Sequence, residues 1–165
     1  MERLSSWLEL PINLLMWLAC FFGLLMMLHV SADVIGRVVF DHPFDGTIEI
    51  VSGYYMVAIA FLPLAYITKH EGQIIVELFT RRMSRRKLCL LDAAVNILTF
   101  VYMATFAWMT ATMAVEQTAS RESWETAYGQ VEIWPSRWYL PIACTLMAVY
   151  LLVRIAADFR KARDR

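Results

Sequence analysis

Side chains able to carry out chemistry are few in the apolar parts of this 165-residue sequence, and they occur singly. A haem held between membrane helices needs paired axial ligands, usually histidines on facing helices. His29 is the only histidine within an apolar run, because His42 and His70 lie in the connections between runs. An ion path or proton relay needs ionisable groups at depth. The nearest candidate, Asp92, lies at the end of a run beside a basic segment. The pattern predicts neither a haem site nor a relay.

Three cysteines, Cys20, Cys89 and Cys144, lie in or beside apolar runs. Disulfides of exported proteins need thiols on the oxidising side of the membrane. We interpret these cysteines as packing residues. We interpret His29 as a residue near the membrane surface, hydrogen-bonded to a neighbour, and Asp92 as an interfacial salt-bridge partner. We therefore expect no enzymatic activity, no cofactor and no metal site in this chain.

Four long apolar runs are the elements that must position these residues. A bilayer core requires about 20 apolar residues per helix. The runs predict transmembrane helices at about residues 10–31, 49–68, 89–115 and 136–158, which together form a single four-helix membrane domain over residues 1–165. The composition, 59% hydrophobic and 18% charged, agrees with an all-α integral membrane protein. Pro63, deep in the second run, predicts a local kink.

Basic residues are distributed unevenly between the two sides of this predicted bundle. Twelve of the 15 Lys and Arg residues lie before the first run, between the second and third, or at the end of the fourth; the others are Arg37, Arg121 and Arg137. Cytoplasmic loops carry the basic excess, so we expect both termini to be cytoplasmic. The size and topology predict a multi-pass protein of a bacterial or archaeal inner membrane. The zero net charge averages two unlike sides, and a nucleic-acid role has no support.

A short amphipathic helix is predicted between the second and third spans. Residues 73–79 place Ile74, Ile75, Leu78 and Phe79 on one face, and the basic cluster Arg81–Lys87 follows. This pattern is typical of a helix that lies in the headgroup plane. Contact with anionic lipid or with a protein would both suit the basic cluster.

Small residues form a stripe on the third predicted helix. They recur with helical spacing at Ala104, Ala107, Ala111 and Ala114. Small stripes allow close helix approach in lipid. The stripe is a candidate packing surface, either within the four-helix unit or against another subunit.

Two further features mark the predicted outer side. Arg37 and Glu49 lie at the outer ends of the first two spans, and we predict an ion pair between them, although Asp33 competes for Arg37 one turn away. Trp134, Pro135 and Trp138 precede the fourth span. Aromatic residues favour the membrane interface, and proline suits the first turn of a helix.

Taken in order, these motifs resemble the small, DctQ-like membrane subunit of tripartite ATP-independent periplasmic (TRAP) transporters. The motifs in chain order are Asp33-Val34-Ile35-Gly36-Arg37, Glu49, His70-Glu71-Gly72-Gln73-Ile74 with Val76-Glu77, and Trp134-Pro135 with Trp138 and Pro141. The resemblance extends over roughly residues 10 to 157.

The resemblance implies a non-catalytic subunit of a three-part uptake system. A periplasmic binding protein would deliver an organic acid or similar solute to a large membrane subunit, which holds substrate and sodium ions. The small subunit would pack on the scaffold of that large subunit, within membrane lipid. Two alternatives remain open on the sequence alone: a membrane anchor for a redox enzyme, and an autonomous small transporter acting as a homo-oligomer.

Overall fold

The computed structural model describes the backbone of residues 2–42, 44–70, 85–126 and 129–163, and the side chains of residues 7–42, 44–70, 91, 93–126 and 129–156. The predicted amphipathic helix and most of its basic cluster lie outside the described residues. The side chains of Cys89 and Asp92 also lie outside them, so their predicted roles stay predictions.

The described part of the chain contains four helical spans. The first is one helix, α1 (Glu2–Val39). The second is built from α2 (Thr47–Ile50), a π-helical turn (Val51–Tyr55), α3 (Met56–Phe61) and α4 (Leu64–Lys69). The third is α5 (Arg85–Ser120), and the fourth is α6 (Tyr139–Arg163), preceded by a 3-10 turn at Trp134–Trp138.

All four spans are long and apolar enough to cross a membrane, which confirms the predicted fold class. Their apolar segments cover Trp7–Val39, Thr47–Lys69, Ala93–Ser120 and Trp134–Ala156. The first, third and fourth helices continue well beyond their predicted ends at residues 31, 115 and 158. Helical hydrogen bonding does not stop where the apolar run stops. Instead, α5 ends where Arg121 adopts a left-handed φ of 49°, a common way to end a helix.

The second span is irregular at two points. Val51–Tyr55 form a π-helical turn, which the sequence did not indicate. Pro63 lies in the break between α3 and α4. Proline lacks the amide hydrogen and crowds the preceding turn, so this break confirms the predicted local distortion.

The fourth span is the central element of the bundle, because it packs against each of the other three spans. One apolar cluster joins Ile12, Ala65, Met147 and Leu151. A second joins Ala19, Ala58 and Leu62 with partly buried aromatic residues around them. The two clusters connect the first, second and fourth spans along their length. Phe100 and Met103 of the third span pack against the first cluster.

The start of α1 and the end of α6 lie at one end of the bundle, here called the terminal end. The other end, called the hairpin end, holds residues 40–42, 44–46, 121–126 and 129–138. It carries two short antiparallel strands, β1 (Ser123–Glu125) and β2 (Gln130–Glu132), with Trp124 opposite Val131. These strands were not predicted. Each has only three residues, too few to show an alternating pattern in the sequence.

Candidate functional site

The hairpin end is a compact polar layer built by the two connections and the 3-10 turn. The hairpin closes through the Thr126 amide, which donates to the Gly129 carbonyl at 2.9 Å, and the Gly129 amide, which donates to the Thr126 hydroxyl at 3.0 Å. The Ile133 amide donates to the Glu122 carbonyl at 2.9 Å, which fastens the base of the hairpin. Ile133 itself is 1% exposed. The hairpin is therefore anchored by both backbone bonds and a buried side chain.

Two long-range hydrogen bonds connect this hairpin to the second span and to the connection that precedes that span. The Tyr54 hydroxyl donates to the Glu132 carbonyl at 2.6 Å. The Thr126 hydroxyl donates to the Asp45 carboxylate at 2.7 Å. These hydrogen bonds therefore join the two connections of the hairpin end into one packed unit.

Arg137 and Glu122 form a bidentate ion pair at the base of the hairpin. The Arg137 Nε and Nη2 atoms donate to the two Glu122 carboxylate oxygens at 2.8 and 2.6 Å. This hydrogen bonding lowers the pKa of Glu122 from its ordinary value of 4.5, against an opposing effect of partial burial. The pair links the start of the fourth span to the end of the third. Sequence reasoning missed it, although both residues lie in the same predicted connection.

The predicted Arg37–Glu49 ion pair is wrong. Arg37 Nη2 contacts Asp33 Oδ2 at 2.9 Å, one turn back on α1. The other carboxylate oxygen of Asp33 accepts the Phe44 amide at 2.9 Å. Asp33 is 5% exposed, whereas Arg37 lies at the surface. Because α1 continues through this region, the i, i+4 geometry places Asp33 nearer to Arg37 than any group on the second span.

The tryptophans before the fourth span are held by side-chain acceptors. Trp134 Nε1 donates to Glu132 Oε2 at 3.0 Å, and Trp138 Nε1 donates to the Thr118 hydroxyl at 3.1 Å. Pro135 occupies the first turn of the 3-10 segment, as its missing amide hydrogen allows. Trp134, Pro135 and Trp138 therefore form the start of the fourth span and fasten it to its neighbours.

Two of the described histidines, His29 and His70, contact tyrosines. His29 Nδ1 lies 3.2 Å from the Tyr55 hydroxyl, which confirms the predicted hydrogen bond to a neighbour. His70, at the terminal end, donates through Nδ1 to the Tyr66 carbonyl at 3.0 Å, and its ring lies 4.1 Å from the Tyr66 ring. His29 and His70 lie toward opposite ends of the bundle, so the structure does not bring them together.

The alanine stripe of the third span faces the interior of the chain. Ala107 and Ala114 are 8% and 0% exposed, and Ala104 and Ala111 are partly buried. The third span packs mainly against the fourth span and the 3-10 turn before it. Of the two packing options left by the sequence, the structure shows packing within the four-helix unit.

Two apolar faces point away from the bundle. On α1, Trp17 is 74% exposed, and on α5, Trp108 is also 74% exposed. The face of α5 that holds Trp108 also contains Leu98, Tyr102 and Met109, all largely exposed. The rings of Tyr102 and Phe106 stack at 6.0 Å. These faces meet either lipid or another protein.

Of the cysteines whose side chains are described, Cys144 is buried and Cys20 is exposed on α1. Buried Cys144 agrees with a packing role. Cys20 instead lies beside Asn13, Trp17 and Tyr66 in a shallow depression between the first two spans.

The sequence match agrees with this architecture. The family described as tripartite ATP-independent periplasmic transporters, DctQ component, matches residues 26–161. The chain belongs to the DctQ family. No curated protein matches the chain.

The DctQ match covers most of the architecture described above. The matched range begins within α1, includes both connections of the hairpin end, and extends nearly to the end of α6. A DctQ chain is a component of a transporter, and four apolar spans make this one a multi-pass membrane protein.

Proposed function

We propose that this chain is the small, non-catalytic membrane subunit of a TRAP-type secondary transporter. It resides in the inner membrane of a bacterium or archaeon, with the terminal end in the cytoplasm and the hairpin end outside. Its large membrane partner carries the substrate and sodium ions, and a periplasmic binding protein delivers an organic acid or similar solute. The single observation that carries the proposal is the DctQ family match over residues 26–161.

The placement of charge supports a structural rather than a transporting role. The ion pairs among the described residues lie toward the ends of the bundle: Lys69 with Glu9 at the terminal end, and Arg37 with Asp33 and Arg137 with Glu122 at the hairpin end. Transporters build substrate sites near the middle of the membrane from broken helices and ionisable groups. At the break, Leu62 next to Pro63 is 1% exposed and packs in an apolar cluster with Ala19 and Ala58.

The α5 face that contains Tyr102 and Trp108 is our candidate surface for the large subunit. The alanine stripe on the opposite face is already covered by the chain itself. Tyr102 is 60% exposed, and its hydroxyl makes no hydrogen bond to the described part of the chain. A phenol facing lipid alone would leave this hydroxyl without a partner, whereas a neighbouring subunit can supply one. Tyrosine and tryptophan are also the side chains that dominate many interfaces.

Co-purification tests both the subunit role and this surface. The affinity-tagged chain, co-expressed with the large TRAP membrane subunit of its own system, should retain that subunit in mild detergent. Trp108→Ala should weaken retention about tenfold or more, as expected for an interface residue contributing more than 1 kcal/mol. Trp17→Ala is the matched control, because Trp17 is equally exposed on the first span.

Failure of the wild-type chain to retain the large subunit would contradict the subunit role. If Trp17→Ala weakened retention and Trp108→Ala did not, the subunit role would stand, and the docking surface would be assigned to α1 instead.

A further inference from the structure

A cavity of about 210 Å³ lies at the hairpin end, between the second and third spans. Gly53, Ala114, Ile133 and Ser136 are its buried wall residues. Ser52 and Met113, in contrast, are exposed on its rim. The cavity therefore opens sideways, toward the surroundings of the bundle.

The shape of this cavity follows the axis of the second span. Its lining on that span runs from Ser52 to Phe61, roughly 13 Å at the usual helical rise. Val57 lies between these two positions and also lines the cavity. The residues that line the cavity are mainly apolar, and the long axis of the cavity runs along the spans. A long apolar chain aligned with the membrane normal fits such a space.

The π-helical turn helps to create this space. Ser52 and Gly53 belong to that turn, and both line the cavity. A Cβ atom at Gly53 would come within 2.9 Å of the Ile133 side chain, so glycine allows the hairpin to close over the cavity. Single π-helical turns occur frequently at functional sites.

The mouth of the cavity carries both signs of charge. Arg137 lines the cavity and uses its Nε and Nη2 atoms for Glu122. A guanidinium has five N–H donors, so further donors remain available there for a phosphate. The Glu122 carboxylate, which is bonded to Arg137, complements an ammonium group. An apolar cavity that has a paired arginine and glutamate at its mouth matches the acyl chain and headgroup of a zwitterionic lipid.

We infer that this cavity binds one phospholipid with a zwitterionic, phosphoethanolamine headgroup. One acyl chain occupies the space between Val57 and Met113, and the phosphate contacts Arg137.

Native mass spectrometry of the purified full-length chain tests this inference. After detergent washing and addition of phosphatidylethanolamine, the wild-type chain should retain one lipid. Val57→Phe should fill the cavity and lower the fraction of the chain that retains lipid about tenfold, a difference of about 1.4 kcal/mol in binding free energy. Met56→Phe is the matched control, since Met56 is the adjacent residue and is 57% exposed away from the cavity.

Two further comparisons test the headgroup. Arg137→Gln should weaken retention, whereas Arg121→Gln, at an exposed arginine that does not line the cavity, should not. Phosphatidylglycerol, which has the phosphate but no ammonium group, should bind more weakly than phosphatidylethanolamine. Equal retention by the Val57→Phe and Met56→Phe variants, or equal binding of the two lipids, would overturn the inference.

Photo-crosslinking provides a measurement that needs no variant. A phosphatidylethanolamine with a photoreactive group on its acyl chain, reconstituted with the wild-type chain in vesicles, should label the segments around Val57 and Met113. Labelling confined to the exposed face of α1 around Leu14 and Trp17 would show general lipid contact only and would contradict a specific site.

Discussion

Asp33 holds the connection between the first two spans because its two carboxylate oxygens serve different partners. One oxygen accepts the Phe44 amide and the other accepts Arg37. Gly36 assists, since its carbonyl accepts the amides of Phe40 and His42, both at 3.1 Å. The reversal of the chain after α1 therefore depends on a carboxylate that the sequence presented only as a competitor for Arg37.

Substitution of Asp33 should destabilise the protein more than substitution of Arg37. Asp33→Ala removes a buried carboxylate and leaves the Phe44 amide without its acceptor. Loss of a hydrogen bond to a charged group costs more than an exposed ion pair contributes. Thermal unfolding in detergent should show a drop of several degrees for Asp33→Ala and a small change for Arg37→Ala. Glu49→Ala is the control, and its effect should add to that of Arg37→Ala. A clearly non-additive Arg37 and Glu49 pair would restore the interaction predicted from sequence.

The Arg137–Glu122 pair should make stability depend on pH. Hydrogen bonding to Arg137 lowers the pKa of Glu122 in the folded chain below 4.5. The resulting stabilisation is fully present above the unfolded value and is lost as the pH falls through the folded value. The difference in melting temperature between the wild type and Glu122→Gln should therefore shrink when the pH is lowered from 7 to about 3. Glu125→Gln, in the same hairpin, is the control. A difference that grew on acidification would contradict this assignment.

The helices of this chain were predictable from its sequence, while the irregular turn within the second span and the hairpin between the third and fourth spans were not. Apolar runs such as residues 93–115 are long enough to indicate a span by themselves. The π-helical turn at Val51–Tyr55 was not predicted, and its Gly53 packs closely against Ile133, a residue distant in sequence. The hairpin likewise depends on long-range bonds, such as the one from Tyr54 to Glu132. Tertiary contacts of this kind cannot be inferred from local pattern.

Gly53, the single glycine of the second span, should tolerate an added methyl group poorly. An added Cβ would approach the Ile133 side chain to 2.9 Å, so Gly53→Ala should cost about 1–3 kcal/mol through overpacking. Gly23→Ala is the matched control, because its Cβ would meet only Ile59, at 3.9 Å. Unfolding of both variants in detergent measures the difference. Equal stability of the two variants would show that the hairpin is not packed on the second span as described.

The motif order was sufficient to indicate the family, although individual contacts were not. The family match over residues 26–161 confirms the resemblance drawn from Asp33–Arg37, Glu49 and Trp134–Trp138. Within those motifs, Glu49 does not pair with Arg37, while the tryptophans do fasten the fourth span. The identity and order of the motif residues indicated the DctQ family. Only the three-dimensional arrangement showed which residues pair with each other.

The orientation proposed for the whole molecule rests on the distribution of its basic residues and can be measured directly. In a background without the natural cysteines, single cysteines at His70 and Gln130 would mark the two ends of the bundle, since both positions are exposed. An impermeant thiol reagent should label Gln130→Cys in intact cells and label His70→Cys only after the cells are opened. The reverse pattern would invert the proposed topology, and labelling of both in intact cells would contradict a four-span arrangement.

The central claim is that this chain supports transport through assembly and does not transport by itself. Uptake of radiolabelled organic acids into proteoliposomes under an inward sodium gradient tests it most directly. Vesicles with this chain alone should show no uptake above empty vesicles. Vesicles with this chain and the large membrane subunit, supplied with the binding protein, should accumulate substrate, and omission of this chain should abolish that uptake. Sodium-driven uptake by this chain alone, or full uptake without it, would contradict the account.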